Sequence, residues 1–163
     1  MSDAGCLQVA DCDGVARASG RRTAYWRKLG VEGNRSGHNR GDEARRQIQD
    51  RNWATPNGAV ELLKDLGKGA GLSAGSRAML MKWMSESVPG AKRLKGLLPA
   101  GTVVAHKTGT SGTREGMTRA TNDIGIVTLP DGRYLAVAVF IADSRATEDV
   151  RDGVIAESAK NDL

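Results

Sequence analysis

The chain has few aromatic residues and few cysteines, and it lacks a long apolar run. Aromatic residues make up 4% of the 163 residues, with Phe140 as the single phenylalanine, so we expect an aliphatic core. Two cysteines, Cys6 and Cys12, are too few for a disulfide-stapled scaffold. No apolar stretch reaches the roughly 18 residues that a transmembrane helix needs, which excludes a membrane-spanning helix.

The first residues also lack the pattern of a secretory signal peptide, because residues 1–15 carry acids and no basic start followed by an apolar stretch. The chain expressed as it stands is therefore expected in the cytoplasm. The net charge of +5 is a mild bias and does not by itself indicate nucleic-acid binding. Hydrophobic residues make up 39% of a chain whose length is ordinary for one domain, so we expect a folded core.

The composition changes at Trp53. Before this residue the basic side chains are nine arginines and Lys28, whereas seven arginines and seven lysines follow it. Large aliphatic residues are sparse in the first segment, which shows no period of two or of 3.6 residues outside residues 24–31. This pattern predicts a loosely ordered segment. Its arginines leave open the alternative of a basic interaction module.

After Trp53 the sequence predicts two helices. Thr55-Pro56 is typical of an N-cap followed by proline at the first helical position. Ser73 predicts the cap of a second helix. The predicted apolar positions of the two helices are Ala59, Val60, Leu62, Leu63 and Leu66, then Ala78, Leu80, Met81, Trp83 and Met84. We interpret Met79, Met81, Trp83 and Met84 as core residues. A short helical turn with Leu94, Leu97 and Leu98 follows.

The remaining chain predicts three strands and one more helix. Residues 102–108, 122–129 and 134–142 are strand-like, with a glycine-containing loop at 109–121 and a hairpin turn at Pro130-Asp131-Gly132. Residues 147–160 predict an amphipathic helix whose inward residues are Val150, Val154 and Ile155. The order of helices, three antiparallel strands and a C-terminal helix predicts an α+β fold.

Residues 106–112 (His-Lys-Thr-Gly-Thr-Ser-Gly) form the strongest candidate for a binding site. The ammonium of Lys107 beside the hydroxyls of Thr108 and Thr110 can bind a carboxylate through charge-assisted hydrogen bonds. Gly109 lacks a side chain, so a ligand can lie along the strand. A free backbone N–H on such a strand can stabilise an oxyanion.

Lys107-Thr108-Gly109 resembles the Lys-Thr-Gly box of class A serine β-lactamases and penicillin-binding proteins, with the PER-type extended-spectrum branch the most similar. The resemblance extends over residues 47–163. Its most similar stretches are 51–56, 96–110, 122–126 and 136–144. Earlier, residues 23–31 are similar to the helix that follows the family's Ser-Asp-Asn loop, and residues 1–6 resemble that loop without its asparagine.

The resemblance implies the β-lactamase/transpeptidase-like fold and hydrolysis of a β-lactam ring by serine acyl transfer, the basis of antibiotic resistance. It implies that Lys107, Thr108 and Thr110 recognise the substrate carboxylate, that Gly109 permits close approach, and that the Thr110 N–H is an oxyanion donor. It implies no cofactor and no metal. The partner is a small-molecule β-lactam, with no nucleic acid and no membrane, and the family acts in the periplasm.

The chain departs from the family at the catalytic motifs. No serine has a lysine three residues later, so the nucleophile of the Ser-x-x-Lys box is absent, and the Ser-Asp-Asn box is at best Ser2-Asp3-Ala4. Ungapped alignment places Asn39 at the position of the family's Ω-loop glutamate, which positions the deacylating water. Glu43 or Asp42 could take that position only if the alignment were shifted, so we assign this role to no residue. We therefore expect a catalytically inactive protein.

These departures suggest that residues 1–46 are a degraded or frame-disrupted remnant of the helical part, and that residues 47–163 are the C-terminal part of a β-lactamase domain. Such a chain would expose an unpaired sheet edge and an apolar face, and would be a monomer or prone to aggregation. An alternative is a pseudoenzyme that still holds carboxylate ligands at Lys107.

Other patterns have simpler interpretations. Residues 71–75 match a G-x-S-x-G nucleophile elbow, but no strand precedes Ser73, which favours the helix cap. The glycines of 67–71 favour a connector over a phosphate-binding loop. Cys6, Cys12 and His38 have no zinc-site spacing, which favours unpaired thiols.

Overall fold

The computed structural model describes residues 6–11, 34–35 and 53–161, with side chains described for 54–161. Most of the segment predicted to be a poorly ordered remnant, 1–46, lies outside the described residues. Residues 23–31, which resemble a helix of the family, also lie outside them, as do Cys12 and His38.

Seven strands and three helices lie within the described part of the chain. In chain order they are β1 (Cys6–Asp11), β2 (Asn34–Arg35), β3 (Trp53–Ala54), α1 (Pro56–Gly67), α2 (Ala74–Ser85), β4 (Val104–Thr110), β5 (Thr113–Arg114), β6 (Met117–Thr128), β7 (Tyr134–Ser144) and α3 (Glu148–Asn161). The α+β class, the three long strands and the C-terminal helix are confirmed. No helix of the described residues is long and apolar enough to cross a membrane.

The main sheet is antiparallel with the strand order β1-β7-β6-β4, and β5 pairs with β6. The predicted loop at 109–121 is wrong, because β4 continues to Thr110 and β6 already begins at Met117. A tight turn replaces most of that loop. Glu115 and Gly116 both have positive φ, 52° and 72°, as a two-residue hairpin turn with matching twist requires.

The third predicted strand has a further partner in the sheet, which the sequence does not predict. β1 pairs along β7, in register from Cys6↔Phe140 to Asp11↔Leu135. The sequence does not predict β1, because Leu7 and Val9 are its only large aliphatic residues and six positions are too few to indicate a period of two. β1 and β4 are the end strands among the described residues, so the expected unpaired edge stays a prediction.

Helix α1 begins where the sequence predicts. The Thr55 Oγ1 accepts a hydrogen bond from the Gly58 N–H at 3.0 Å, and Pro56 occupies the first turn. Val60, Leu63 and Leu66 are buried against one face of the sheet, in a cluster that includes Ile126, Ala136 and Ala138.

Helix α2 also begins as predicted, because the Ser73 Oγ accepts from the Ser76 N–H at 3.2 Å. The interpretation of its methionines and tryptophan as core is wrong for two of them: Met79 is 50% exposed and Trp83 is 61% exposed. Met81 and Met84 pack partly buried against the α1 cluster. Within the described residues only one side of α2 meets the sheet, so half of its apolar positions face outward.

Helix α3 packs on the opposite face of the sheet, where Ile155 is fully buried as predicted. Val150 and Val154 do not point inward; they are 55% and 46% exposed. The buried side of α3 instead contains Arg151 and Asp152, followed by Ile155, Ala156 and Ala159. The two charged residues face inward because the core supplies polar partners for them. The predicted short helix near Leu94 is a series of turns in which Leu94 alone is fully buried.

Candidate functional site

The four predicted site residues lie at the end of β4, which is an end strand of the sheet among the described residues. Lys107, Gly109 and Thr110 are exposed and Thr108 is half-buried. Val104 belongs to the cluster on the α3 side of the sheet. Because side chains alternate along a strand, Thr108 and Thr110 point to that side and Lys107 points to the other.

The hydrogen-bond pattern of β4 shows which backbone groups near the candidate site face away from β6. The Ser111 N–H donates to Ala120 O and the Thr128 N–H donates to Val103 O, both at 2.9 Å, so odd-numbered residues of β4 form the bonded pairs with β6. In an antiparallel pair the residues between them direct their backbone groups outward. Thr108 C=O and Thr110 N–H therefore face the outer edge of β4, where the Lys107 Nζ donates to Thr108 O at 2.5 Å.

Arg93 is a site residue that the sequence reasoning missed. Its side chain is 4% exposed, and its Nε donates to the Asp152 Oδ1 of α3 at 2.7 Å. Its two terminal nitrogens donate to Asn122 O at 3.0 Å and to the Thr110 Oγ1 at 2.8 Å. Arg93 thus ties the segment before β4 to the end of β4 and to α3.

The contact with Arg93 sets the direction of the Thr110 hydroxyl. Arginine only donates hydrogen bonds, so the Thr110 Oγ1 is the acceptor and its own hydrogen stays available to an acceptor outside. An exposed hydroxyl held as a donor beside an outward N–H suits an anionic oxygen. The sequence signal that could have revealed Arg93 is Asp152, an acid at a core-facing position of α3.

A close approach fixes Thr108 against the segment that carries Arg93. Gly90 has a φ of 79°, and a Cβ at this position would lie 2.3 Å from the Thr108 Cγ2. The methyl group of Thr108 thus occupies the space that any other residue at position 90 would fill. Gly109, in contrast, has nothing within 4 Å of its Cβ position, so its exposed side is open to a ligand.

An exposed ion pair also joins the Arg93 segment to α3. The Lys92 Nζ lies 2.6 Å from the Asp149 Oδ1. The hydrogen bond and charge of Lys92 hold the pKa of Asp149 below its usual 3.8, and the same contact raises the pKa of Lys92 above its usual 10.5.

This pair predicts a limited pH effect on stability. The lowered pKa of Asp149 contributes stability that is present above pH 3.8 and is lost as the pH falls through the folded value. The raised pKa of Lys92 contributes stability that is present below pH 10.5 and is lost as the pH rises through its folded value. Urea unfolding of the wild type and Lys92→Ala should differ slightly at pH 7 and converge at the acid end. They should also converge in high salt; a difference that salt leaves unchanged would contradict the ionic account.

The other sequence candidates are resolved where the structure describes them. Ser73 is the cap of α2, which confirms the simpler interpretation of the G-x-S-x-G match. The glycines near Gly69 connect α1 to α2, and the Arg77 Nε donates to Leu66 O there. Among the described residues, no group of three or more His, Cys, Asp or Glu is placed to hold a metal. The early arginines lie outside the described side chains.

Comparisons with known proteins point to one family. A model described as "Beta-lactamase enzyme family" matches residues 20–161, and so begins inside the early segment. The extended-spectrum beta-lactamase PER-1 of Pseudomonas aeruginosa is 54% identical over 114 residues, which are 70% of this chain and 37% of that protein. The chain thus spans well under two thirds of the length of this relative.

Solved structures agree with the sequence match. The TLA-1 extended-spectrum beta-lactamase has a TM-score of 0.79 and 45% identity, over 86% of this chain and 51% of that one. A representative class A beta-lactamase from Bacteroides cellulosilyticus has a TM-score of 0.75 and 34% identity, over 84% of this chain and 50% of that one. The similarity therefore covers fold and sequence together.

Proposed function

The chain belongs to the beta-lactamase enzyme family, and we propose that these 163 residues bind the carboxylate of a β-lactam at the end of β4 without hydrolysing it. The family hydrolyses β-lactams and typically acts in the periplasm or outside the cell. The observation that carries the proposal is that the Lys107 ammonium, held at Thr108 O, and the Thr110 N–H both lie at the outer edge of β4.

The physical basis of binding is charge complementarity with directed donors. The Lys107 ammonium supplies a positive charge at the outer edge of β4, where it is 2.5 Å from Thr108 O. A carboxylate accepts hydrogen bonds from ammonium and hydroxyl groups, and such charge-assisted bonds are about twice as strong as neutral ones. Gly109 leaves the strand backbone open to a flat ring, and the Thr110 N–H can donate to the lactam carbonyl.

The proposed lack of hydrolysis follows from the missing nucleophile. Serine acyl transfer needs an activated hydroxyl that attacks the lactam carbonyl, with cleavage of the C–N bond and proton transfer to the nitrogen. Neither a Ser-x-x-Lys box nor a complete Ser-Asp-Asn box occurs in the sequence. The remaining donors can hold a ligand but cannot form an acyl-enzyme.

Replacing Lys107 should test this proposal directly. We expect NMR titration of the purified chain with benzylpenicillin to show shifts centred on residues 107–110. Lys107→Ala should weaken the affinity at least tenfold, because it removes the ammonium charge at the outer edge of β4. Lys160→Ala, at the end of α3, removes the same charge elsewhere and should leave the affinity unchanged. Equal effects of the two variants, or no titration of the wild type, would refute the proposal.

A further inference from the structure

Directly behind the proposed subsite lies a buried pair that its chemistry does not use. His106 and Asp123, on β4 and β6, both have fully buried side chains. The His106 Nδ1 lies 2.8 Å from the Asp123 Oδ2 and 3.0 Å from the Oδ1. The Leu94 N–H donates to the same Oδ2 at 3.3 Å. The carboxylate of Asp123 is thus shared between a side chain of β4 and the backbone before it.

The partners of Asp123 are the chain neighbours of the two cations at the subsite. His106 directly precedes Lys107, and Leu94 directly follows Arg93. One carboxylate therefore links the backbone that carries the Lys107 ammonium to the backbone that carries the Arg93 guanidinium.

The space around the pair is closed. His106 pairs with Gly125 on β6, and a Cβ on Gly125 would lie 2.8 Å from both the His106 Cβ and Ala105 O. The backbone and Cβ of His106 therefore lie against a residue that has no side chain, and a side chain there would displace β4 from β6. The His106 Nε2 is buried and has no hydrogen-bond partner among the described residues.

The hydrogen-bond pattern assigns the state of the ring. An ionised carboxylate only accepts, so the Nδ1 of His106 carries the hydrogen that faces Asp123. The Nε2 has no acceptor among the described residues, so the geometry favours the Nδ1 as the nitrogen that donates, toward Asp123. The pair is therefore a directional link and not merely two packed side chains.

We propose that the His106–Asp123 pair is a positioning pair for the carboxylate subsite. It fixes the backbone that carries Lys107 against the backbone that carries Arg93, whose guanidinium orients the Thr110 hydroxyl. This inference rests on the proposed function. Buried polar pairs are often replaceable by aliphatic residues without loss of stability, so a role in fixing geometry explains why a polar pair occupies the core here. Neither residue touches the ligand; both act through the backbone.

The central test replaces the pair together. The double variant His106→Leu/Asp123→Leu removes the link without leaving a buried charge alone, so it is expected to fold. We expect its affinity for benzylpenicillin to fall at least tenfold, with faster hydrogen exchange of the Leu94 amide and shifted amide signals at Arg93 and Lys107. A folded double variant with wild-type affinity and wild-type Leu94 exchange would overturn the proposal.

A conservative variant separates positioning from packing. His106→Asn keeps a side-chain N–H near the position of the Nδ1 and should bind within threefold of wild type, whereas His106→Leu should lose at least tenfold. Ile155→Val, which trims the core under α3, is the matched control and should bind normally. If folded His106→Asn loses as much affinity as His106→Leu, the proposal fails.

A third measurement does not depend on the ligand. If the wild type binds no benzylpenicillin, the proposed function fails, but the pair is still tested by ¹⁵N spectra of the imidazole and by Leu94 amide exchange. A protonated Nδ1 with a bare Nε2, together with exchange at Leu94 that accelerates in the double variant, supports the pair. The opposite tautomer, or unchanged exchange, contradicts it.

Discussion

Replacing Asp152 with alanine is expected to lower the free energy of unfolding by about 3–5 kcal/mol, because the Arg93 guanidinium would be left buried without its charge partner. Arg93 is 4% exposed and its Nε donates to Asp152 at 2.7 Å, so water cannot replace the carboxylate without opening the structure. Glu148, at 4.0 Å and largely exposed, is too distant and too hydrated to compensate. Urea denaturation of wild type and variant measures the difference.

The matched control is Asp149→Ala, three residues earlier on the same helix. Asp149 pairs with Lys92 in solvent, so its removal should change stability only slightly. Folded Asp152→Ala protein should also bind benzylpenicillin more weakly, since Arg93 would no longer hold the Thr110 hydroxyl outward. Equal stability losses for the two variants would show that Arg93 is not buried as described.

Gly125→Ala is expected to destabilise the protein by about 1–3 kcal/mol, because the new methyl group has no space. Its Cβ would lie 2.8 Å from Ala105 O and from the His106 Cβ, and 3.1 Å from the His106 Cα. These atoms belong to the backbone or are fixed to it, so β4 can yield only by moving away from β6. The affinity for benzylpenicillin should fall with the displacement of Lys107.

Alanine at Gly153 should change the free energy of unfolding in the opposite direction. Gly153 lies within α3 and has nothing within 4 Å of its Cβ position. Alanine is the better helix former, so Gly153→Ala should stabilise the protein by about 0.5–1 kcal/mol. Thermal unfolding of the two variants side by side tests the account, and a neutral Gly125→Ala would contradict the closed packing around His106.

The sequence predicted the parts of the fold that depend on local signals. Thr55 and Ser73 are identifiable as caps because a hydroxyl residue directly before an apolar helical pattern commonly accepts a hydrogen bond from the first turn. Both residues cap their helices. The strand that carries Lys107 was recognisable from its β-branched residues. The predicted inward face of α3 is wrong. The prediction assigned the apolar Val150 and Val154 to the buried side, whereas the buried side contains Arg151 and Asp152.

The candidate site was predictable only where its residues are contiguous. Lys107, Thr108, Gly109 and Thr110 stand together in the sequence and lie together at the end of β4. Arg93 and Asp123 reach the same region through tertiary contacts across 17 and 29 positions, which no local pattern encodes. The sheet partner β1 was missed for the same reason, because strand pairing is decided by distant residues.

The central claim is that these residues bind a β-lactam but cannot turn it over. Purified chain should be incubated with nitrocefin, and then with benzylpenicillin followed by intact-mass measurement, with a class A β-lactamase in parallel. Because loss of a nucleophile typically costs on the order of 10⁶ in turnover, we expect hydrolysis at the buffer rate and no mass increase. Nitrocefin hydrolysis that Lys107→Ala abolishes, or a stable penicilloyl adduct on the chain, would contradict the account.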